Sequence, residues 1–308
     1  MPPSSVDDLV RLRDALAPAG YDLDALLGRG GMASVYRARD RRHGRRVAIK
    51  VLHADFVSGH GAERFLREVE ICGRLTHPNI VPLLDAGAIG DQPWFSMPLV
   101  EGETLRARLD REPRLPVPLV LAIARDVADA LQYAHAAGIV HRDIKPENLV
   151  LVGDRAMVLD FGIGRAIGAA DEANVRLTTV GLIMGTPLYM APEQAANDVR
   201  LDGRTDQYAL ALTLYEALAG DHPFRAPTVS ATISRRFSET PARLDQLHAE
   251  VPLPAAQAIA RALRIDPDAR FPTAAEFADA LLLAPTAVRT SPAPLAPSIA
   301  VVPFTNVG

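Results

Sequence analysis

The sequence lacks several features that mark particular classes of protein. It contains a single cysteine, Cys72, so no disulfide can form within its 308 residues, and a reducing compartment is the expected setting. It has no N-terminal signal pattern and no apolar run of about 18 residues that could span a bilayer. Its net charge of −4 disfavours a general nucleic-acid binder, which normally carries a basic excess. We therefore expect a cytoplasmic protein of ordinary globular composition, with no membrane segment and no nucleic-acid partner.

Lysine is also scarce. Of 33 basic residues other than histidine, only Lys50 and Lys145 are lysine, and the rest are arginine. Arginine is a broad planar fork, whereas lysine is a compact charge on a flexible stem that can reach a phosphate oxygen. Because lysine is kept at only two positions, these positions are candidates for a role that arginine cannot fulfil. Lys50 ends the string VAIK and Lys145 lies within HRDIKPEN, so both strings are candidates for phosphate chemistry.

The spacing of apolar residues changes along the chain. A first segment, residues 5–17, has helical spacing, and the text that follows reads as hairpin-linked strands interrupted by one helix in GAERFLREVEICGRL. Beyond residue 102 the pattern becomes helical, as in TDQYALALTLYEALAG. The helical part is followed by a linker rich in proline and alanine. After the linker comes a segment that looks like the first strand of a truncated domain. The predicted boundaries are 1–19 for a helical extension, 20–100 and 101–283 for a β-rich and a helical lobe, 284–297 for the linker and 298–308 for the truncated domain.

A glycine-rich segment lies between the first two predicted strands. It reads Gly28-Arg29-Gly30-Gly31 and is followed by Val35. Glycine lets backbone amides approach phosphate oxygens with no Cβ in the way, and a loop between two strands differs from a dinucleotide-binding loop that opens a helix. A flexible hairpin with no ligand is the alternative interpretation of this segment.

Lys50 ends a strand of β-branched residues, fifteen residues beyond Val35. If the glycine-rich loop folds over a nucleotide, a lysine at this position points at the α- and β-phosphates. A carboxylate is needed to hold it, and composition leaves Glu63, Glu68 and Glu70 of the following helix as candidates. The alternative is an ordinary surface ion pair.

The densest group of chemically active residues lies between positions 141 and 162. The string HRDIKPEN and the later Asp160-Phe161-Gly162 supply Asp143, Lys145, Asn148 and Asp160 within twenty residues. They comprise a base that can orient a hydroxyl, an ammonium that can hold a moving phosphoryl group, and two oxygen donors for a hard cation. Magnesium prefers oxygen ligands and is normally shared with substrate phosphates, so Asn148 and Asp160 suffice when ATP is present.

Five strings occur in the order GRGGMASV, VAIK, HRDIKPEN, DFG and GTPLYMAPE. Together they resemble the catalytic domain of a eukaryotic-type (Hanks-type) Ser/Thr protein kinase of the bacterial branch, over residues 20–283. The resemblance implies a bilobal α+β protein-kinase fold, with a small β-rich N-lobe that contains one main helix, a larger helical C-lobe, and ATP between them. Lys145, two residues after Asp143, and Thr186 resemble the Ser/Thr-specific pattern.

The resemblance also implies which residues contact the nucleotide. Val35 and Ala48 resemble the residues above the adenine, and Val150 resembles the residue beneath it. Met97 resembles the gatekeeper, so Pro98-Leu99-Val100 is expected to be the hinge. Proline replaces the commoner acidic residue at the start of that hinge, and its carbonyl is the only group that adenine needs there.

Further roles follow from the same resemblance. Glu68 fits the family spacing for the carboxylate partner of Lys50. Asp206 resembles the buried aspartate that anchors the catalytic loop from below. Glu193 and Arg270 resemble the ion pair that ties the activation segment to the helical lobe.

A regulatory site is expected in the activation segment. Arg142 and Arg165 resemble the pair that collects a phosphate there, and Thr178 and Thr179 lie within the segment. Because phosphorylation adds nearly two negative charges, paired arginines could order a phosphorylated loop. We expect autophosphorylation at one or both threonines, with dimerisation for trans-phosphorylation as a further possibility; ordinary loop threonines are the alternative.

The predicted function is transfer of the ATP γ-phosphoryl group to Ser or Thr hydroxyls of proteins, with Mg²⁺, or Mn²⁺ in its place, as the metal. Asp143, Lys145, Lys50 and Glu68 form the predicted catalytic set. A pseudokinase scaffold is the main alternative, and it usually lacks a residue at the position of Lys50, Asp143 or Asp160. A small-molecule phosphotransferase is the other, and the GTPLYMAPE segment, a peptide-docking feature in kinases, disfavours it.

Two further features are interpreted as structural. Six arginines between positions 37 and 46 could suggest RNA or acidic lipid, but they flank a turn and fit a solvated hairpin rim better. Cys72 lies one helical turn beyond Glu68, on the face expected to pack inward, so a buried structural thiol is favoured over a redox switch.

Overall fold

The N-terminal part of the chain forms an antiparallel sheet in the order β1-β2-β3-β5-β4. The computed structural model describes residues 5–31, 33–53, 61–161, 187–196, 198 and 201–283. The strands are β1 (Tyr21–Arg29), β2 (Ala33–Asp40), β3 (Arg45–Leu52), β4 (Asp85–Ile89) and β5 (Gln92–Pro98). Two helices accompany them, α1 (Ser5–Leu16) and α2 (Gly61–Cys72).

The central strand β3 is buried on both faces. Because successive side chains of a strand point to opposite faces, its residues divide into two sets. Val47, Ile49 and Val51 join the apolar cluster on the face that α1 covers. Ala48 and Leu52 join the cluster on the opposite face, with residues of α2. Lys50 alternates with the first set and therefore points to the second face, where the candidate site lies.

The helix α1 covers the outer face of the sheet. Its residues Leu12 and Leu16 are buried there, and Arg11 Nη2 donates to Gln92 Oε1 at 2.6 Å. Arg13 Nε donates to the Leu23 carbonyl at 3.2 Å, which fixes the helix to the first strand as well. The segment predicted as a helical extension is thus packed against the sheet through an apolar stripe.

The second half of the described chain is mostly helical. It contains α3 (Leu105–Arg111), α4 (Val117–Ala136), α5 (Pro192–Ala195), α6 (Gly203–Ala219), α7 (Val229–Ser238), α8 (Leu244–Leu247), α9 (Leu253–Ala262) and α10 (Ala274–Leu282). A small antiparallel sheet is formed by β6 (Glu103–Thr104), β7 (Leu149–Val152) and β8 (Arg155–Val158). The two halves are bonded together where Val81 N donates to the Val158 carbonyl at 3.0 Å.

The helix α6 forms the centre of the helical half. Asp202 caps its first turn by accepting from Arg204 N, and Gly220 ends it in the left-handed conformation with φ of 86°. Nearly every residue between these caps is buried. A helix buried on all sides belongs at the centre of a core, so the polar residues that it carries are held rigidly. One of them, Asp206, supports the candidate site.

Candidate active site

Asp206 anchors the loop that connects α4 to β7. Its carboxylate accepts from the backbone of His141 (2.8 Å) and Arg142 (2.7 Å), and also contacts Nε2 of His135 at 2.8 Å. Arg142 has a φ of 68°, a left-handed conformation that costs free energy for a residue with a Cβ. The bonds from fully buried Asp206 offset this cost, and they fix the backbone next to Asp143. The anchoring role of Asp206 stays a prediction, which these contacts support.

His135 was not identified from the sequence, although it supports Asp206 directly. It lies at the end of α4 and is brought to Asp206 by the packing of α4 on α6. Gly203 makes this approach possible, because a Cβ at that position would lie 2.4 Å from Nδ1 of His135. The signal in the sequence was a glycine at the start of a buried helix, where glycine is otherwise unfavourable.

We expect Gly203→Ala to destabilise the protein by about 1–3 kcal/mol, because overpacking outweighs the better helix propensity of alanine. Chemical denaturation should detect the loss. In a His135→Ala background the ring is absent, so Gly203→Ala should cost much less. An equal cost in both backgrounds would contradict a clash with His135.

Three predicted residues meet in the catalytic loop. Lys145 Nζ lies 2.9 and 2.7 Å from the two carboxylate oxygens of Asp143. Asn148 Nδ2 donates to the Asp143 carbonyl at 2.7 Å and to Asp143 Oδ2 at 3.0 Å. The carboxylate of Asp143 is thus held by two neighbours, yet its side chain keeps 46% of its exposure and remains accessible to a substrate.

A second contact brings the N-terminal sheet to the segment after β8. Lys50 Nζ lies 2.5 Å from Asp160 Oδ2, although the two residues are 110 positions apart in the sequence. The segment is tied to the catalytic loop because His141 Nε2 donates to the Leu159 carbonyl at 2.8 Å and the Asn148 carbonyl accepts from Leu159 N at 2.9 Å. Lys50 and the catalytic loop therefore face a common space.

Asp160 and Asn148 fit the cation ligands that the sequence predicts. Asp160 Oδ1 is buried and has no hydrogen-bond partner among the described residues, and such an oxygen is costly unless a cation or donor meets it. Asn148 uses its amide nitrogen for both of its bonds to Asp143, which leaves the amide oxygen for a cation. Two oxygen ligands suit Mg²⁺, which takes its remaining ligands from phosphates and water.

The residues expected around the adenine lie close to one another. Val35, Ala48, Met97 and Val100 pack in one apolar cluster beneath the N-terminal sheet. Val150 is buried in the adjoining small sheet, where it pairs with Met157.

Two residues near the expected adenine site were not predicted from the sequence: Met157 lies in β8 of the small sheet and Leu159 follows that strand. Met157 and Leu159 pack against the same apolar cluster as the adenine residues. They alternate along the text RAMVLD, and this period of two is the signal that could have identified them.

The glycine-rich segment forms the turn between β1 and β2, as expected. Gly28 pairs with Val35, and Arg29 pairs with Ser34 at the end of the ladder. A Cβ built at Gly28 or Gly31 would meet no atom of the described residues within 4 Å, so this part of the structure leaves the space beside the turn open to a ligand. The turn closes where Gly30 N donates to the Ala33 carbonyl at 2.9 Å.

The predicted ion pair between Glu193 and Arg270 is present and bidentate. Arg270 Nη1 and Nη2 donate to the two Glu193 oxygens at 2.7 and 2.8 Å. Both side chains are buried, and Thr205 donates a further hydrogen bond to Glu193 Oε1 at 3.0 Å. Burial by itself raises the pKa of Glu193, but the hydrogen bonds and charge of Arg270 outweigh it and leave the pKa below its ordinary value.

The roles of four predicted residues stay predictions. Arg165, Thr178 and Thr179 lie outside the described residues, so the phosphate site stays a prediction. Glu68 lies half-buried on α2, and its pairing with Lys50 also stays a prediction. Cys72 is buried, as expected.

A lysine of the β-rich half in contact with Asp160, next to a loop that carries Asp143, Lys145 and Asn148, is the arrangement of the protein-kinase class. The sequence model of the family "Protein kinase domain" matches residues 21–282. The chain therefore belongs to the protein kinase family, and the expected family and bilobal α+β fold are confirmed.

Curated relatives are bacterial Ser/Thr kinases. The chain is 41% identical over 250 residues to Serine/threonine-protein kinase PknD of Mycobacterium tuberculosis, covering 80% of this chain and 37% of that protein. It is 37% identical over 254 residues to PknB of Mycobacterium leprae, covering 80% of this chain and 40% of that one. It is 41% identical over 249 residues to the DNA damage-responsive kinase RqkA of Deinococcus radiodurans, covering 79% and 36%. The chain thus spans about two fifths of the length of these relatives.

A solved structure, the crystal structure of Rad53 1–466 in complex with AMP-PNP, has the same fold. Its TM-score is 0.70 at 24% identity, over 85% of this chain and 65% of that one. Among the described residues, no helix is both long and apolar enough to cross a membrane.

Proposed function

We propose that this chain transfers the γ-phosphoryl group of ATP to Ser or Thr hydroxyls of proteins. The observation that carries the proposal is that Lys50 contacts Asp160, which follows Leu159, and Leu159 is hydrogen-bonded to the loop that holds Asp143, Lys145 and Asn148 together. Each residue type matches a need of the reaction, in which positioning and electrostatics supply nearly all of the catalysis.

The chemical step is an in-line displacement. The substrate hydroxyl oxygen forms a bond to the γ-phosphorus while the bond to the β–γ bridging oxygen breaks, so phosphoserine or phosphothreonine and ADP result. The hydroxyl proton passes to the Asp143 carboxylate, which lies exposed enough to receive it, and later to solvent. Lys145 contacts both oxygens of that carboxylate and carries positive charge toward the transferring group.

Lys50 and Asp160 serve the nucleotide. Lys50 is only 20% exposed and already pairs with Asp160, so its ammonium is held at the edge of the nucleotide space. Asp160 and Asn148 would hold Mg²⁺, with Mn²⁺ as a possible replacement, and the metal, when bound, supplies positive charge that offsets charge on the phosphates. The open glycine-rich turn offers backbone amides to the same phosphates.

The two other candidate functions have less support. A pseudokinase scaffold would be expected to lack one of Lys50, Asp143 or Asp160, whereas all three are present and in contact with functional neighbours. The segment around Tyr189, whose hydroxyl is buried against Glu216, belongs to the string GTPLYMAPE. This string is a peptide-docking feature in kinases, so it disfavours a small-molecule phosphotransferase.

The test is incubation of the purified chain with γ-³²P-labelled ATP, Mg²⁺ and myelin basic protein, followed by phosphoamino-acid analysis. We expect labelled phosphoserine or phosphothreonine, and none when EDTA replaces Mg²⁺. ATP binding without any transfer would favour the scaffold, and label on a small alcohol but not on protein would favour the small-molecule enzyme.

We also propose activation by phosphorylation at Thr178 or Thr179, with Arg142 and Arg165 as the phosphate-binding pair. The double variant Thr178→Ala/Thr179→Ala is expected to lose about tenfold or more of its activity toward myelin basic protein, since no phosphate would order the segment. Phosphopeptide mapping of the active wild type checks the sites. Both threonines unmodified in a fully active enzyme would contradict the proposal.

Transfer between two copies of the chain would explain how such phosphorylation begins. Label on an Asp143→Asn copy that is mixed with the wild-type chain would support transfer between copies, and absence of label on that copy beside a self-labelled wild type would contradict it. The cytoplasmic setting remains a proposal that rests on the single cysteine.

A further inference from the structure

The helix α7 directs an arginine into the protein. Its first turn is capped by the Thr228 hydroxyl, which accepts from Ala231 N at 3.1 Å. Thr232 and Arg236 lie four residues apart and therefore on one face, and both are buried, Arg236 with only 1% exposure. Arg235, the neighbouring arginine, pairs with Glu239 near the surface. A buried guanidinium is costly unless strong acceptors meet it, so the stability of Arg236 in this position depends on its acceptors.

Arg236 binds two backbone carbonyls of one short segment. Its Nη1 donates to the Met190 carbonyl at 2.6 Å, and its Nη2 donates to the Leu188 carbonyl. The Met190 carbonyl has no other hydrogen-bond donor among the described residues. The planar fork of arginine suits this double contact, which a single ammonium could not make equally well.

His222 supports the same segment from the loop after α6. Its Nε2 lies 2.8 Å from the Leu188 carbonyl, and its Nδ1 accepts from Phe224 N at 3.2 Å. A carbonyl can only accept, so the ring proton is on Nε2 and the ring is neutral. Burial lowers the pKa of His222 to about 4, which keeps this arrangement at neutral pH.

The side chain between the two carbonyls is fixed as well. The Tyr189 hydroxyl donates to Glu216 of α6, and Arg106 Nη1 of α3 donates to the other oxygen of Glu216 at 2.9 Å. The Tyr189 ring stands edge-on to His222, with 5.4 Å between centroids. The segment 188–190 is thus held by its backbone from α7 and by its side chain from α6 and α3.

This segment lies next to the catalytic loop. Just beyond it, Gln194 Nε2 donates to the Arg142 carbonyl at 2.9 Å, and Arg142 directly precedes Asp143. The segment belongs to the GTPLYMAPE text that is expected to receive the peptide substrate. A shift of these carbonyls would move a docked peptide relative to Asp143 and leave the nucleotide side, with Lys50 and Asp160, unchanged.

We propose that Arg236 is a positioning residue for the protein substrate, and that it acts by holding the Leu188 and Met190 carbonyls in the peptide-docking segment. This inference rests on the proposed function, because it concerns how the protein acceptor is placed. It assigns to α7 a role in substrate affinity and none in ATP binding or in the transfer step itself.

The test compares the KM for protein with the reaction that needs no protein. Using the full 308-residue chain, kcat and KM for myelin basic protein are measured at saturating ATP, and ATP hydrolysis by water is measured without the protein substrate. For Arg236→Met we expect KM for the protein to rise about tenfold, the factor that corresponds to ~1.4 kcal/mol. ATP hydrolysis and KM for ATP should stay within about twofold of the wild type.

The matched control is Arg235→Met, which removes an arginine from the same helix at a surface position and should leave all these values unchanged. An unchanged protein KM in folded Arg236→Met would overturn the proposal, and so would a parallel loss of ATP hydrolysis, which indicates a general structural role. Wild-type enzyme that hydrolyses ATP but labels no protein would instead count against the proposed function.

If Arg236→Met does not fold, Arg236→Lys decides the question, because it keeps the charge and can serve one carbonyl. It should raise KM for the protein by a smaller factor, with ATP hydrolysis unchanged. A KM equal to that of the wild type, or an equal loss of both activities, would overturn the proposal.

Discussion

An Asp143→Asn variant is expected to bind ATP normally and to transfer phosphate about 10²–10⁴ times more slowly than the wild type. Asparagine has nearly the same size and can still accept one hydrogen bond, so the loop held by Asp206 should keep its shape. It carries no charge and cannot take a proton at neutral pH. The loss should therefore fall on kcat, because the missing contribution is made in the transition state.

The measurement is kcat for labelling of myelin basic protein, together with the Kd of a fluorescent ATP analogue. Asp154→Asn is the matched control, since Asp154 is exposed in the turn between β7 and β8 and makes the same change of charge. Transfer within a few-fold of the wild type would show that Asp143 is not the base. Loss of both ATP binding and thermal stability would show that the substitution acts through the fold.

The Asp143→Asn substitution should also change the interactions of Lys145. In the wild type its ammonium contacts both carboxylate oxygens of Asp143, and the pair is only partly buried. Removing the negative charge leaves Lys145 without that ion pair, so the nucleotide phosphates become its strongest available partner. We therefore expect the Asp143→Asn variant to bind ATP as tightly as the wild type or slightly more tightly.

The catalytic loop could be predicted from the sequence because its residues are contiguous. Asp143, Lys145 and Asn148 lie within six positions of one another, and a short loop has little freedom to separate them. Lys50 and Asp160 are far apart in the chain, and only the resemblance to a known family predicts that they serve one site. Spacing alone does not encode such a contact.

Supporting residues were harder to predict because their roles depend on packing between helices. His135 reads as a polar residue near the end of α4, and only the close passage of α6 at Gly203 gives it Asp206 as a partner. Arg236 reads as a surface arginine on an amphipathic helix. Its burial depends on two carbonyls from a segment 46 and 48 residues away.

The sequence of the N-terminal sheet also indicates that a helix covers its outer face. The strand β3 has apolar residues on both faces, Val47 and Ile49 on one and Ala48 and Leu52 on the other, which indicates that both faces are covered. The helix α1 is the cover on one side, although the sequence presented it as an extension. The arginine-rich hairpin behaves as a solvated rim, with Arg37 paired to Asp24 and Arg42 paired to Asp85.

The largest stability effect is expected at the buried pair of Glu193 and Arg270. Arg270→Met leaves the Glu193 carboxylate buried without its bidentate partner, and breaking one side of a buried pair costs about 3–5 kcal/mol. Differential scanning calorimetry should record a fall in Tm on the order of 10 °C. Arg264→Met, at an exposed position nearby, is the control and should change stability by less than about 0.5 kcal/mol.

The pH dependence provides an independent check of the same pair. The folded pKa of Glu193 lies below its ordinary 4.5, so the unfolded chain takes up a proton at higher pH than the folded chain does. The pair's contribution should be complete above about pH 4.5 and should decline as pH falls through the lower folded pKa. In the Glu193→Gln variant, the loss of folding stability that protonation of Glu193 causes at low pH should be absent.

A double variant separates loss of the pair from the cost of an isolated charge. Adding Glu193→Gln to Arg270→Met removes the buried charge, so it should recover part of the lost stability even though no ion pair is restored. If the changes in unfolding free energy of the two single variants simply add, the cost of Arg270→Met must come from other contacts of the Arg270 side chain. Those are its bonds to the carbonyls of Arg204, Arg264 and Ile265 and its position over the Tyr208 ring.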